Sequence, residues 1–468
     1  MSSQALLYVF VLPVAWLLLW LLKSARSRQL LLLITSYVLY GSFGLKFLVL
    51  LVGSSLMNHA LGILLRRKPS LGRLWLGIAV NVALLGTFKY LPPFALLLPA
   101  SSLTTVLANI VLPVGISFWT FQALSYLLDL YREEELDPSL LEFLLYMAFW
   151  PTVLSGPICR LSSLLPQFRS PFKPSQEDVR RGLDRICIGL FMTALGQMLG
   201  AGLHAGQGID GIFDSSRQNF AGPDIWCLAI GYGFELFFNF AGYTHIVIGA
   251  ARLFGFRLEE NFDRPYLSTT PSQFWTRWHM SLSFWIRDYL FLPMVMLRRE
   301  TWWRSCVLML SMVVFGLWHK GAFLFLLWGL YQGILLVLHR QWQKISGRYE
   351  WHLPQSLMAP LCWVVTFCAI CLGWIFFRAN NLNQAFTMLR AAVTPGTYMR
   401  YTLPGDLFLL VTVLAAGYFL TVGAQHLLRK HAEAVTIPLE FRFALYAVAV
   451  YAGIFHSAQT QAFIYLQF

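Results

Sequence analysis

The sequence predicts an all-helical, polytopic membrane protein, on three observations. Only 12% of the 468 residues are charged, about half the share of a soluble domain, while 57% are hydrophobic and the mean hydropathy is +0.60. Apolar runs of about 20 residues, the length that crosses a bilayer as a helix, recur along the chain. Lys and Arg fall in short clusters between those runs: Lys23 to Arg28, Arg66-Arg67-Lys68, Arg180-Arg181, Arg298-Arg299 and Arg429-Lys430. That is the pattern of cytoplasmic loops facing an anionic leaflet, so the net charge of +13 speaks for membrane lipid and not for nucleic acid. No polar segment is long enough for a soluble domain, and residues 1–468 read as one integral membrane domain.

The elements follow in order. Ala5 to Leu22 is apolar with its positive charge after it, the reverse of a signal peptide, and reads as a retained first helix with its basic end in the cytoplasm. The next basic cluster comes two spans later, as a hairpin through Gly41 to Lys46 requires. Spans follow at about 72–92 and 103–128, the second ending in a charged loop from Asp129 to Asp137. Leu140 to Leu154 is apolar but short, lies between two charged stretches, and is expected to enter and return without crossing. Further spans are expected at about 186–203, 223–254, 303–319, 321–338, 356–377, 405–428 and 440–460, giving about eleven in all. Internal repeats are absent, which weighs against a repeat-built transporter. The seven cysteines mostly sit in apolar stretches and read as small hydrophobes, Cys368-Ala-Ile-Cys371 included.

Asn261 to Met296 stands apart, aromatic enough for a membrane interface yet too polar to face lipid. A helix capped by Ser272 behind Pro271 is expected there, carrying Trp275, Trp278 and His279 on one face. Trp-His pairs adjoin these stretches at Trp278-His279 and Trp318-His319. His319 lies between two strongly apolar stretches, where an ionisable group is costly unless solvated or paired and is a functional-site candidate by default. Burial disfavours the charged imidazolium, so a desolvated histidine stays available as a proton acceptor. The bland alternative for each is a hydrogen bond to a backbone carbonyl.

Several stretches together resemble the membrane-bound O-acyltransferases, in the bacterial branch that includes alginate O-acetyltransferase and the D-alanyl-lipoteichoic acid exporter. They are Leu112 to Tyr126, Ser155-Gly156-Pro157-Ile-Cys-Arg160, Glu260-Asn261-Phe262 through Tyr266, Phe274 to Ser283 with Arg287-Asp288-Tyr289, Gly316-Leu317-Trp318-His319, Trp374 to Ala379, and Phe463 to Phe468. They occur in the family's order along nearly the whole chain. The resemblance implies a ring of helices, with re-entrant or interfacial pieces, around a central tunnel. It implies that His319 is the catalytic histidine and His279 its supporting partner.

The same resemblance implies no bound cofactor and no metal, an acyl donor on the cytoplasmic side, and an acceptor polysaccharide or an acyltransferase partner outside. The donor is acetyl-CoA in the first reading and a phosphopantetheine carrier thioester in the second. The location it implies is a bacterial inner membrane. Arg277, Arg287, Asp288, Arg160 and Asn261 are candidates for shaping the donor path, since Arg forms a fork to phosphate. The alternative for Arg287 and Asp288 is an internal ion pair. Trp275, Trp278 and Trp318 are expected to line or pack the path.

Two departures bear on the acyl group. Asn239 stands where the family usually has Asp, and Pro293 to Arg299 is closer to the D-alanyl exporter's pattern, while Gln122 to Tyr126 leans towards the acetyltransferases. The expected activity is O-acetyl transfer to polysaccharide hydroxyls. D-alanyl transfer is the rival within the family and membrane transport the rival outside it.

Overall fold

The computed structural model describes residues 3–451, apart from 96–97, 100, 133–134, 172–173, 205, 216–218, 349–353, 432–441 and 443. The expected span at 440–460 falls largely outside these residues, and the motif Phe463 to Phe468 entirely so. The described residues are helical, with one isolated bridge, Phe262 to Trp278, in place of any sheet. They form two compact units, one of residues 3–186 with 247–260, the other of 187–246 with 261–451.

The first unit begins with four long helices, α1 (Ser3–Leu21), α2 (Ala25–Gly41), α3 (Leu45–Arg67) and α4 (Leu71–Lys89), followed by short α5 (Leu91–Ala95) and α6 (Ser102–Ala108). After them come α7 (Ile116–Tyr131), α8 (Leu140–Ala148), α9 (Leu161–Arg169) and the first part of α10 (Gln176–Ala201). Outward faces of α1 to α4 leave large apolar side chains uncovered, Phe10, Leu17, Leu45 and Val49 among them, as helices bathed in lipid do. The inner faces of α3 and α4 close on α7, which is buried almost throughout, while α2 packs on α8 and α1 on α2. Asn58 and Asn81 exchange side-chain hydrogen bonds of 3.1 and 2.7 Å between α3 and α4, the polar fastening expected where water is absent.

Residues 103–128 were expected to form one span, and they do not. The chain leaves α6 at Ala108 and restarts at Ile116, because Pro113 lacks an N–H and Gly115 adopts φ +75°. The nine residues of α8 are too few to cross a bilayer. The chain then turns through Trp150 to Gly156, all buried, into α9.

The second unit holds the rest of α10, α11 (Ile209–Asp214) and most of α12 (Gly222–Leu253), then α13 (Pro271–Trp275), α14 (Met280–Ile286) and α15 (Leu292–Met296). It continues with α16 (Thr301–His319), α17 (Phe323–Arg348), α18 (Gln355–Arg378), α19 (Leu382–Val393) and α20 (Gly405–His431). α12 is buried along most of its 32 residues, while α20 is mostly uncovered. Among the described residues eight helices are long and apolar enough to cross a membrane, with α1 a shorter apolar helix beside them. The expectation of about eleven counted 103–128 as a span and drew on residues beyond 451.

α16 and α17 form a tight hairpin. A Cβ on Gly316 would run into the Phe325 carbonyl, one on Gly329 would lie 2.5 Å from the Met312 carbonyl oxygen, and one on Gly333 would lie 2.6 Å from Met309 Sδ. Three glycines therefore set the approach of the two backbones.

Candidate active site

His319 is the last residue of α16, 3% exposed, at the same end of the helices as the start of α17 and the end of α18. Its imidazole is caged by rings: Trp318 at 4.8 Å, Phe377 at 5.1 Å, Phe315 at 5.5 Å and Trp328 at 5.8 Å between centroids. The glycine seam between α16 and α17 brings Trp328 there. Phe377 comes from the end of α18.

His279 arrives by a different route. The expected single helix from Ser272 onward does not form. The cap is Thr270, whose hydroxyl accepts from Gln273 N at 3.1 Å, with Pro271 in the first turn where its missing N–H costs nothing. α13 then stops at Trp275, and His279 sits at the start of α14 with φ +42°. Trp275, Trp278 and His279 therefore do not share one helix face.

A left-handed backbone at a histidine is uncommon and needs support from its surroundings. That support comes from the segment beginning at Asn261. The Asn261 carbonyl accepts from Met280 N at 2.9 Å, and its side-chain Oδ1 accepts from Ser281 Oγ at 2.6 Å and Ser281 N at 3.3 Å. Asp263 N donates to the Arg277 carbonyl at 3.0 Å, beside the Phe262 to Trp278 bridge. Asn261 is thus a brace for the His279 turn.

The two histidines belong to one aromatic cluster. His279, 0% exposed, meets Phe240 edge to face at 4.7 Å and Trp318 at 6.0 Å, so Trp318 touches both imidazoles. Trp275 packs on Phe315 and Trp328 at 5.0 and 5.8 Å. Trp278 packs on Phe262 at 5.1 Å and on Trp374 at 5.0 Å. Six of the sequence-predicted site residues, His319, His279, Trp318, Trp278, Trp275 and Asn261, are brought together.

The charged candidates are placed differently. Arg287 pairs with its neighbour Asp288 at 2.6 Å and covers the Phe284 ring at 4.7 Å, the internal ion pair foreseen as the alternative. Arg277 is half-buried, and its backbone carbonyl takes part in bracing the His279 turn. Arg160 lies in the first unit, as the N-cap of α9.

Sequence reading missed a charged group next to the cage. Arg378, the residue after Phe377, donates to Asp210 Oδ1 at 2.9 and 3.0 Å and to Asp214 Oδ1 at 2.9 Å, tying α18 to α11. The buried carboxyl of Glu235 on α12 lies beside Asp210; a Cβ on Gly200 would be 2.9 Å from Glu235 Oε1 and 3.0 Å from Asp210 Oδ2. The available signal was a Glu in an otherwise apolar run, which is costly unless paired. Phe240, Trp328 and Phe377 were also missed, and single aromatics in apolar helices carry no signal of their own. Among the described residues no three or more His, Cys, Asp or Glu side chains converge as a metal site would need.

Chemically, the site offers an imidazole excluded from water, aromatic walls, and a second imidazole held by a strained, braced turn. Such a group can accept a proton from a hydroxyl brought against it. Comparison with known proteins gives the same direction. Residues 67–379, which include both histidines, match the family model described as MBOAT, the membrane-bound O-acyltransferase family. The chain is 34% identical to a probable alginate O-acetylase of Pseudomonas aeruginosa over 409 residues, 85% of this chain and 75% of that protein. It is 30% identical to a peptidoglycan O-acetyltransferase of Helicobacter pylori over 83% of this chain and 79% of the relative. A teichoic acid D-alanyltransferase of Bacillus subtilis is 29% identical over a shorter stretch, 59% of this chain and 71% of that protein.

Proposed function

The chain belongs to the membrane-bound O-acyltransferase family, and from that premise we propose that it moves an acetyl group from acetyl-CoA on the cytoplasmic side to hydroxyls of a polysaccharide outside the membrane, directly or through an acyltransferase partner. His319 is the proton acceptor. Its ring takes the proton of the attacking hydroxyl as the oxygen bonds to the thioester carbonyl carbon. The tetrahedral intermediate collapses with loss of the C–S bond, and the imidazolium returns the proton to the departing thiolate. His279 supports that ring through Trp318. We take residues 1–468 as one acyltransferase domain in a bacterial inner membrane, with the basic clusters on the cytoplasmic side.

One observation carries the reading: His319 is buried at a helix end inside an aromatic cage whose Trp318 also touches His279. Acetyl is preferred over D-alanyl because relatives named as acetyl-transfer enzymes align over 83–85% of the chain, against 59% for the D-alanyltransferase. The test is His319→Ala, brought to parental level in the membrane. Loss of polymer acylation is expected, and retained acylation removes the assigned role. Labelled acetyl-CoA set against carrier-bound D-alanine, scored by which label reaches the polymer, decides the donor.

A further inference from the structure

Gln332 lies on α17 and is 0% exposed, yet neither its amide oxygen nor its amide nitrogen has a hydrogen-bond partner among the described residues. A side-chain amide can make about four hydrogen bonds. Buried polar groups in native proteins are almost always satisfied, so one with every position open calls for an explanation.

Its placement suggests one. Gln332 is about one helical turn along α17 from Trp328, whose ring is 5.8 Å from that of His319. The amide faces α18 at the one residue type that leaves it room, since a Cβ on Gly373 would be 2.5 Å from Nε2. Two indole N–H groups nearby, those of Trp328 and Trp275, also have no hydrogen-bond partner among the described residues, and their rings are 5.8 Å apart. The cluster thus presents aromatic surface with a few unspent polar groups, on the side of the cage towards the basic end of α17.

Coenzyme A and acyl carrier proteins deliver a thioester on the same chemical device, a thin pantetheine arm interrupted by secondary amides. We infer that Gln332 hydrogen-bonds an amide of that arm and so selects amide-bearing donors. The inference rests on the acyl-transfer reading of His319. Gln332 binds donor and takes no part in the proton transfer.

The test compares two donors in membranes carrying the parent protein or Gln332→Leu at matched levels. One is acetyl-CoA; the other is S-ethyl thioacetate, which has the same acetyl thioester and no amide. The substitution is expected to lower kcat/KM for acetyl-CoA by about tenfold, the worth of one buried hydrogen bond, while leaving the small donor's rate unchanged. A merely structural role predicts equal losses on both donors, and that result, or no loss on either, overturns the inference alone. A parent protein that used neither donor would remove the acyl-transfer reading and the inference together.

Discussion

Gly329→Ala isolates what the α16 and α17 seam does for the site. The new methyl would lie 2.5 Å from the Met312 carbonyl oxygen and 2.9 Å from Val313 Cα, both on rigid backbone. Ordinary contact begins near 3.5 Å, so the helices must part by about 1 Å. Overpacking of this kind costs about 1–3 kcal/mol, against which alanine returns roughly 1 kcal/mol of helix propensity, so the variant is expected to fold. The rate suffers more than the stability. Trp328 is the residue before Gly329, and His319 lies about two turns beyond Met312, so the 1 Å shift passes straight into the spacing of imidazole and indole. A misplacement of that size costs on the order of 100-fold in rate. The assay is transfer of labelled acetyl from acetyl-CoA in membranes with matched protein amounts. Gly53→Ala serves as the control, because nothing lies within 4 Å of its added Cβ. A Gly329→Ala protein within about twofold of the parent would refute the claim that the seam sets the site's geometry.

Two further outcomes follow from local chemistry. At His279 the backbone needs φ +42° and the proposed function needs the ring. His279→Asn, which tolerates that conformation, should keep parental protein levels while losing transfer, whereas β-branched His279→Val should lose both; equal levels of the two variants by quantitative blot would contradict the strain argument. In the first unit, the Arg169 guanidinium holds the Glu142 carboxyl below its ordinary value of 4.5 through contacts of 2.8 and 3.0 Å. A carboxyl depressed in the folded state contributes stability above its unfolded pKa and loses it as pH falls through the folded one. The thermal midpoint of purified protein should therefore drop from about pH 4.5 downward, less steeply in Glu142→Gln, and an unchanged slope in that variant would sink the assignment.

Much of this was legible in the sequence, because the bilayer enforces simple rules. Apolar length placed α3, α4, α10, α12, α16, α17, α18 and α20, and the pairs Trp278-His279 and Trp318-His319 marked residues that the fold brings together. What was missed depends on backbone geometry that apolarity does not encode. The break between α6 and α7 turns on Pro113 and Gly115, within an apolar run that reads as continuous. The left-handed turn at His279 depends on hydrogen bonds that Asn261, eighteen positions upstream, accepts from Met280 and Ser281. Arg378 and Asp210 are far apart in the chain, so neither announces the other. Gln332 is a single amide in an apolar helix, and only the absence of partners around it makes it informative.

Trp328 follows His319 by nine positions, with only a tight turn between their helices. This wall of the cage is therefore built from a contact nearly local in sequence, one that pays little loop-closure entropy and forms early. Translation proceeds from the N-terminus and emerging segments associate as they appear. When α17 leaves the ribosome, His279, Trp318 and Trp328 have all been made, and of the rings Phe315, Trp318, Trp328 and Phe377 against His319 the last is still to come. The nascent chain can thus assemble most of the imidazole's surroundings before α18 and α20 exist, and α18 closes a structure already begun.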